Sequence, residues 1–128
     1  MIECKNGVKI VECESELPVE LIGSKYIFLD LETTSRDPKL KSVNPWHNCW
    51  IAGICVTADE HRGSWYIPIG HAHGRNLDRE VVIEFLTKLF NEATHWVNHN
   101  IKYDAHALEN DLCLFFDHIV MVLSLIHI

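Results

Sequence analysis

A chain of 128 residues that is 48% hydrophobic can bury one core and has the size of a single ordinary domain. Its formal net charge of −7 excludes a protein that coats duplex nucleic acid through many phosphate contacts, because such affinity comes from counterions released by a basic surface. It leaves room for an enzyme that grips one strand end through cations held by carboxylates, which reverse the local sign.

The opening "MIECKNGVKI" has no apolar signal-peptide core, and no apolar stretch is long enough to span a bilayer, so a soluble cytoplasmic protein with no membrane partner is expected. The five cysteines are odd in number and lack C-x-x-C spacing, which favours buried free thiols over disulfides or a zinc site. In chain order, "GVKIVE" reads as a short strand and "ESELPVELIG" as a short helix. "KYIFLDLE" then places Tyr26, Phe28, Asp30 and Glu32 on one face and Ile27, Leu29 and Leu31 on the other. Apolar residues on both faces predict a central strand covered on both sides. "WIAGICVTA" and "GSWYIPIG" follow as strands joined by a hairpin at "DEHR", giving a three-strand meander. Between Leu77 and Ala93, Val82, Phe85, Leu86, Leu89 and Phe90 fall at helical spacing, with Asp78 and Glu80 at the end where the helix dipole favours negative charge. "HWVN" reads as a short buried strand and "NIKYDAHALEN" as a helix capped by Asn100, with its exit at Asn110 and Asp111. "CLFFD" is expected to be the last strand. A meander followed by alternating strand and helix predicts an α/β fold, a mixed sheet flanked by helices.

Two carboxylates on a strand with this pattern are costly to bury without partners. Asp30 and Glu32 project from the same side near the carboxyl end of the central strand, where open α/β sheets build their sites. Asp104 lies one turn after Asn100 on the same helix face and is placed to reach over that strand end. Three hard oxygen donors with no convergent histidine pair suit magnesium or manganese over zinc. His71 and His73, a lone pair in a loop without partners at metal spacing, read as solvent-facing.

"FLDLETT", "WYIPIGH" and "VNHNIKYDAHAL" resemble the first motif, the middle strand and the second motif of the 3′–5′ proofreading exonuclease domain of family A, polymerase I type, DNA polymerases. That domain belongs to the four-carboxylate DEDD superfamily with an RNase H-like fold, and the resemblance covers roughly residues 8 to 122. It implies two Mg²⁺ or Mn²⁺ ions, with Asp30 bridging both, Glu32 holding one and Asp104 supporting the second. Such a pair, about 4 Å apart, activates a water and stabilises the leaving 3′-oxygen without a covalent intermediate. The resemblance also implies that Thr33 and Thr34 approach the terminal nucleotide and that Asn100 and Tyr103 contact the strand, Tyr103 offering its ring to a splayed base. The implied partners are a single-stranded DNA 3′ end and a polymerase domain downstream.

The sequence departs from the family pattern in two places. Ser35 and Arg36 follow the threonines where the family often has an apolar wedge, and no Y-x-x-x-D or H-x-x-x-D third motif follows Asp117. Asp117 itself matches a segment that opens the next helix in the family and reads as structural. The loop "SRDPKLKSVNPWHNCW", with Lys39, Lys41 and Trp46, is a candidate guide for single-stranded DNA or a solvated insertion. The alternatives are an RNA-trimming 3′–5′ exoribonuclease of the same superfamily, a non-catalytic nucleic-acid-binding remnant, or a phosphotransferase using Asp30 as nucleophile, which Glu32 and the N-x-x-x-D helix disfavour. The last six residues, "LSLIHI", resemble the in-frame translation of a transposase adaptor used in shotgun libraries. The expectation is therefore a partial exonuclease domain over 1–122, a non-native 123–128, a sheet incomplete at the C-terminus and a chain inactive as written.

Overall fold

The computed structural model describes residues 1–35, 49–58 and 63–124, so the "DEHR" turn, the loop carrying Arg36, Lys39, Lys41 and Trp46, and the tail from residue 125 lie outside the described residues. Seven strands form one mixed sheet: β1 (Ile2–Glu3), β2 (Val8–Ile10), β3 (Tyr26–Ser35), β4 (Cys49–Ala58), β5 (Ser64–Pro68), β6 (His95–Asn98) and β7 (Val120–Leu123). Their spatial order is β1-β2-β5-β4-β3-β6-β7. β3, β4 and β5 make the antiparallel meander, while β6 lies parallel to β3 and β7 parallel to β6. Helix α1 (Arg79–Glu92) connects β5 to β6, and α2 (Ile101–Leu112) connects β6 to β7. This is the expected α/β architecture of a meander continued by parallel strands.

Strand parity decides where the core sits. Ile27 and Leu29 of β3, Ile54 and Val56 of β4, Trp65 and Ile67 of β5 and Trp96 of β6 are all buried, in one cluster with Val82, Phe85, Leu86, Leu89 and Phe90 of α1 and Leu108 and Leu112 of α2. Phe90, Trp96 and Phe116 meet as an aromatic triple with ring centroids 4.8–5.3 Å apart, the tilted and edge-on geometry that ring quadrupoles favour. The opposite parity behaves differently. Among the described residues nothing buries Phe28, Asp30, Cys55, Thr57 or Tyr66 fully, and Tyr26 and Glu32 are exposed. Among the described residues, the expected cover of β3 is complete on one face and partial on the other.

Several elements differ from expectation for local reasons. "ESELPVELIG" is two short 3₁₀ turns, Glu14–Glu16 and Val19–Leu21, instead of one helix. Pro18 between them has no N–H to donate and drives Leu17 into extended backbone. The strand read from "GVKIVE" is only Val8–Ile10, and it gains β1 as an antiparallel neighbour. Helix α2 runs past Asn110 and Asp111 to Leu112 and ends on Cys113, a non-glycine residue in the left-handed region at φ 57°. "CLFFD" is not a strand. Leu114 and Phe116 are buried and Phe115 is exposed, so it has strand-like alternation without a ladder, and the last strand begins at Val120. Asp117 lies in the turn before β7, not at the start of a helix. Leu123 pairs with Asn98 at the end of β7. The five cysteines are free as expected, but only Cys49 is buried, and Cys13 and Cys113 are exposed.

Candidate active site

The carboxyl end of β3 meets the start of α2, and the predicted site residues gather there in two adjoining cavities. The first, of about 280 Å³, is lined by Asp30, Leu31, His99, Asn100, Tyr103 and Asp104. Asp104 is 5% exposed. Its Oδ2 accepts from the Leu31 backbone N–H at 3.2 Å and from Asn98 Nδ2 at 2.7 Å. Burial raises its pKa to about 6, against the two hydrogen bonds, and the charge of Asp30 pushes in the same direction as burial. Both bonds converge on Oδ2, so among the described residues Oδ1 is left to face a further partner.

Asn98 organises this corner, and the sequence reading passed over it. Its side chain is fully buried at the end of β6, donating through Nδ2 to the Leu29 carbonyl as well as to Asp104. Its Oδ1 accepts from the Asn100 backbone N–H. Asn100 occupies the N-cap position, as expected, but makes no side-chain capping bond; its own backbone N–H is held by Asn98 instead. The available signal was parity: Trp96 and Asn98 share the core-facing side of β6, and a buried amide there must find partners.

Glu32, Thr33 and Thr34 line the second cavity, of about 680 Å³, together with Ser35, Trp50, Ala52, Gly70, His71 and Ala72. The pairing of β3 with β4 shifts between Glu32 and Thr33, a bulge of the kind that re-aims side chains at sites. Beyond it, Thr33 Oγ1 and the Tyr103 hydroxyl lie 3.1 Å apart, tying the strand to α2. Burial raises the Tyr103 pKa, so the phenol remains protonated. Glu32 Oε2 accepts from the Tyr66 hydroxyl at 2.7 Å, and that hydroxyl lies 2.6 Å from His71 Nε2. Burial and the Glu32 charge raise the Tyr66 pKa strongly. His73 is exposed as expected, whereas His71 is not simply solvent-facing: its ring meets Tyr66.

The structure thus brings Asp30 and Asp104 together with Asn100 and Tyr103, and sets Glu32 with Thr33 and Thr34 next door. Among the described residues, no three acidic, histidine or cysteine side chains converge tightly enough to form a ready-made ion site. The donor chemistry nonetheless fits a hard divalent cation. All three candidates, Asp30, Glu32 and Asp104, offer carboxylate oxygens, and the forces that raise the Asp104 pKa, burial and a neighbouring negative charge, are those a cation would offset.

No family model matches the chain. Over 96 residues it is 34% identical to a DNA-directed DNA polymerase of Pseudomonas phage M6, a match spanning 70% of this chain and 14% of that protein. Among solved structures, RNase D of Trypanosoma brucei, in complex with RNA U12, superposes with a TM-score of 0.59 at 15% identity over 88% of this chain and 36% of that one. The Nibbler EXO domain of Aedes aegypti gives 0.57 at 11% identity over 88% and 48%, and the RRP6 catalytic core of T. brucei gives 0.58 at 14% over 89% and 28%. The chain has the RNase H-like 3′–5′ exonuclease fold. With a DNA polymerase as a sequence relative, this exonuclease fold agrees with the proofreading-domain resemblance carried by the three motifs. The chain spans about one seventh of that polymerase and less than half of each of these three structures.

Proposed function

We propose that this chain is the 3′–5′ exonuclease domain of a DNA polymerase, hydrolysing the terminal phosphodiester of a single-stranded DNA 3′ end in the cytoplasm. The observation that carries this reading is the pairing of Asp30 with Asp104 in one cavity at the carboxyl end of the central strand, beside Asn100 and Tyr103. The polymerase relative favours DNA. None of the described helices is long and apolar enough to cross a membrane.

In this reading Asp30, Glu32 and Asp104 hold two Mg²⁺ or Mn²⁺ ions, which when bound supply a nucleophilic water at neutral pH and stabilise charge on the leaving 3′-oxygen. The chain's own residues set the geometry. Asn98 fixes the Asp104 carboxylate through Oδ2, and the Tyr103–Thr33 contact holds the wall between the two cavities. Thr33 and Thr34 border the larger cavity, where the terminal nucleotide sits, and Asn100 and Tyr103 line the strand's approach. A complete four-carboxylate site requires one more acid and a Tyr or His to orient the water. Asp117, exposed in the turn before β7, is not that acid. We therefore infer that these 128 residues bind metal but hydrolyse poorly.

An RNA-trimming role is the second reading, favoured by the RNase D structure's bound RNA. Matched DNA and RNA oligonucleotides, labelled at the 5′ end and incubated with Mg²⁺ and a protein extended through a third motif, separate the two. Mononucleotide loss from the DNA 3′ end, halted by a sulfur-substituted terminus, is the expected result. Faster loss from RNA would favour the second reading, and cleavage from the 5′ end would exclude both.

A further inference from the structure

Glu32 belongs to the site, yet its contacts lead away from Asp30 and Asp104 into a chain of polar groups that the function has not so far used. Asp30, Cys55 and Tyr66 are aligned in register across β3, β4 and β5, all on the face opposite the core. From that position the Tyr66 ring crosses the strand towards Glu32, one pleat further along β3. Gly53, which pairs with Glu32, lies beneath it, and a Cβ at Gly53 would overlap the Tyr66 ring and hydroxyl. The phenol donates its one proton to Glu32 Oε2, so the Tyr66–His71 contact requires His71 Nε2 to be the donor. His71 is itself held from behind: Asn76 Oδ1 accepts from the His71 backbone N–H and Asn76 Nδ2 donates to the His71 carbonyl, each at 2.9 Å. The preceding turn is anchored by the Ile69 and Gly70 N–H groups on the Ala52 carbonyl.

We propose that Tyr66 and His71 are positioning residues for Glu32, holding it by Oε2 and presenting only Oε1 to a divalent cation. This rests on the reading of Asp30, Glu32 and Asp104 as metal ligands. Glu32 is otherwise exposed and free to rotate about three side-chain bonds, and such a ligand binds weakly because its freedom is lost on binding. Hydrogen bonds from behind a carboxylate ligand remove that freedom beforehand and fix which oxygen faces the ion. Gly53 is the enabling residue, since any side chain there would lift the phenol away.

Mn²⁺ binding by the 128-residue chain, followed by the loss of the free-ion electron paramagnetic resonance signal, tests this without requiring turnover. Tyr66→Phe is expected to weaken Mn²⁺ binding about tenfold, the usual size of such an effect. The same change made in Glu32→Ala should alter binding little, because Tyr66 acts through Glu32. His71→Gln, which keeps an N–H near the same place, should bind more tightly than His71→Ala, and this pair carries the test if Tyr66→Phe unfolds. Full Mn²⁺ affinity in Tyr66→Phe beside lost affinity in Asp30→Ala would overturn the positioning role while leaving the metal site standing. Equal losses with and without Glu32 would overturn it too. Undiminished affinity in Asp30→Ala would remove the metal-site reading and this inference with it.

Discussion

In EDTA, Asp104→Asn is expected to be more stable than the wild-type chain by about 2–3 kcal/mol at pH 8, with the difference vanishing near pH 4. The Asp104 pKa rises from 3.8 to about 6 on folding, chiefly through burial and further through Asp30. A carboxyl with a raised folded pKa binds more protons in the folded state than in the unfolded one between those values. Its contribution is fully present below the unfolded pKa and is lost as pH rises through the folded one, at about 1.4 kcal/mol per pH unit. Asparagine keeps an oxygen for the Leu31 and Asn98 donors and has no charge to desolvate, so it carries no such penalty. Urea unfolding of both proteins at pH 4, 6 and 8 measures the gap. A gap that widens towards acid would contradict the assignment. The stabilised variant should also lose Mn²⁺ affinity, stability and function being opposed at this residue.

Asp111→Ala should produce the largest loss, about 3–5 kcal/mol, as expected for removing one partner of a buried ion pair. The Asp111 carboxylate is 2% exposed, lies 2.7 Å from Arg79 Nη2 through Oδ1 and accepts from the Ile51 backbone N–H at 2.7 Å through Oδ2. The Arg79 guanidinium stacks 4.1 Å from the Trp50 ring centroid. Alanine leaves the Ile51 donor without this acceptor and Arg79 without its counter-charge, at a place where α1, α2 and β4 are tied together. Asp111→Asn keeps the acceptor and should fall between the two. Thermal unfolding by circular dichroism at pH 7 would show a fall of about 10–20 °C for alanine, and a fall below about 2 °C would mean that the pair contributes nothing of consequence.

Legibility in the sequence followed the range of the interaction that placed each residue. The side-chain period of two was enough to put Asp30 and Glu32 on one face of β3, and "HWVN" was delimited at both ends by its neighbours. Helix α1 was legible from its apolar stripe, and Asp78 is its N-cap, accepting from the Glu80 N–H. The misreadings came from contacts distant in sequence. Asp111 resembled a helix exit because its partners Ile51 and Arg79 are 60 and 32 residues away. "CLFFD" alternates like a strand, but its burial comes from packing against Phe90 and Trp96 rather than from a ladder. Asn98 and the Glu32–Tyr66–His71 chain required the register of β3 on β4 and β5 and the bulge after Glu32, which no local pattern encodes. The departures from simple rules, a buried amide and a strand bulge, sit at the candidate site, as expected where function competes with ideal structure.

The central claim, that Asp30 and Asp104 jointly hold a divalent cation, is tested most directly by anomalous diffraction at the manganese edge from crystals of the chain grown with Mn²⁺. An anomalous peak between the Asp30 carboxylate and Oδ1 of Asp104 is the predicted result. An empty Asp30–Asp104 cavity at saturating Mn²⁺, with Asp104 still bonded to Asn98 and Leu31, would contradict it.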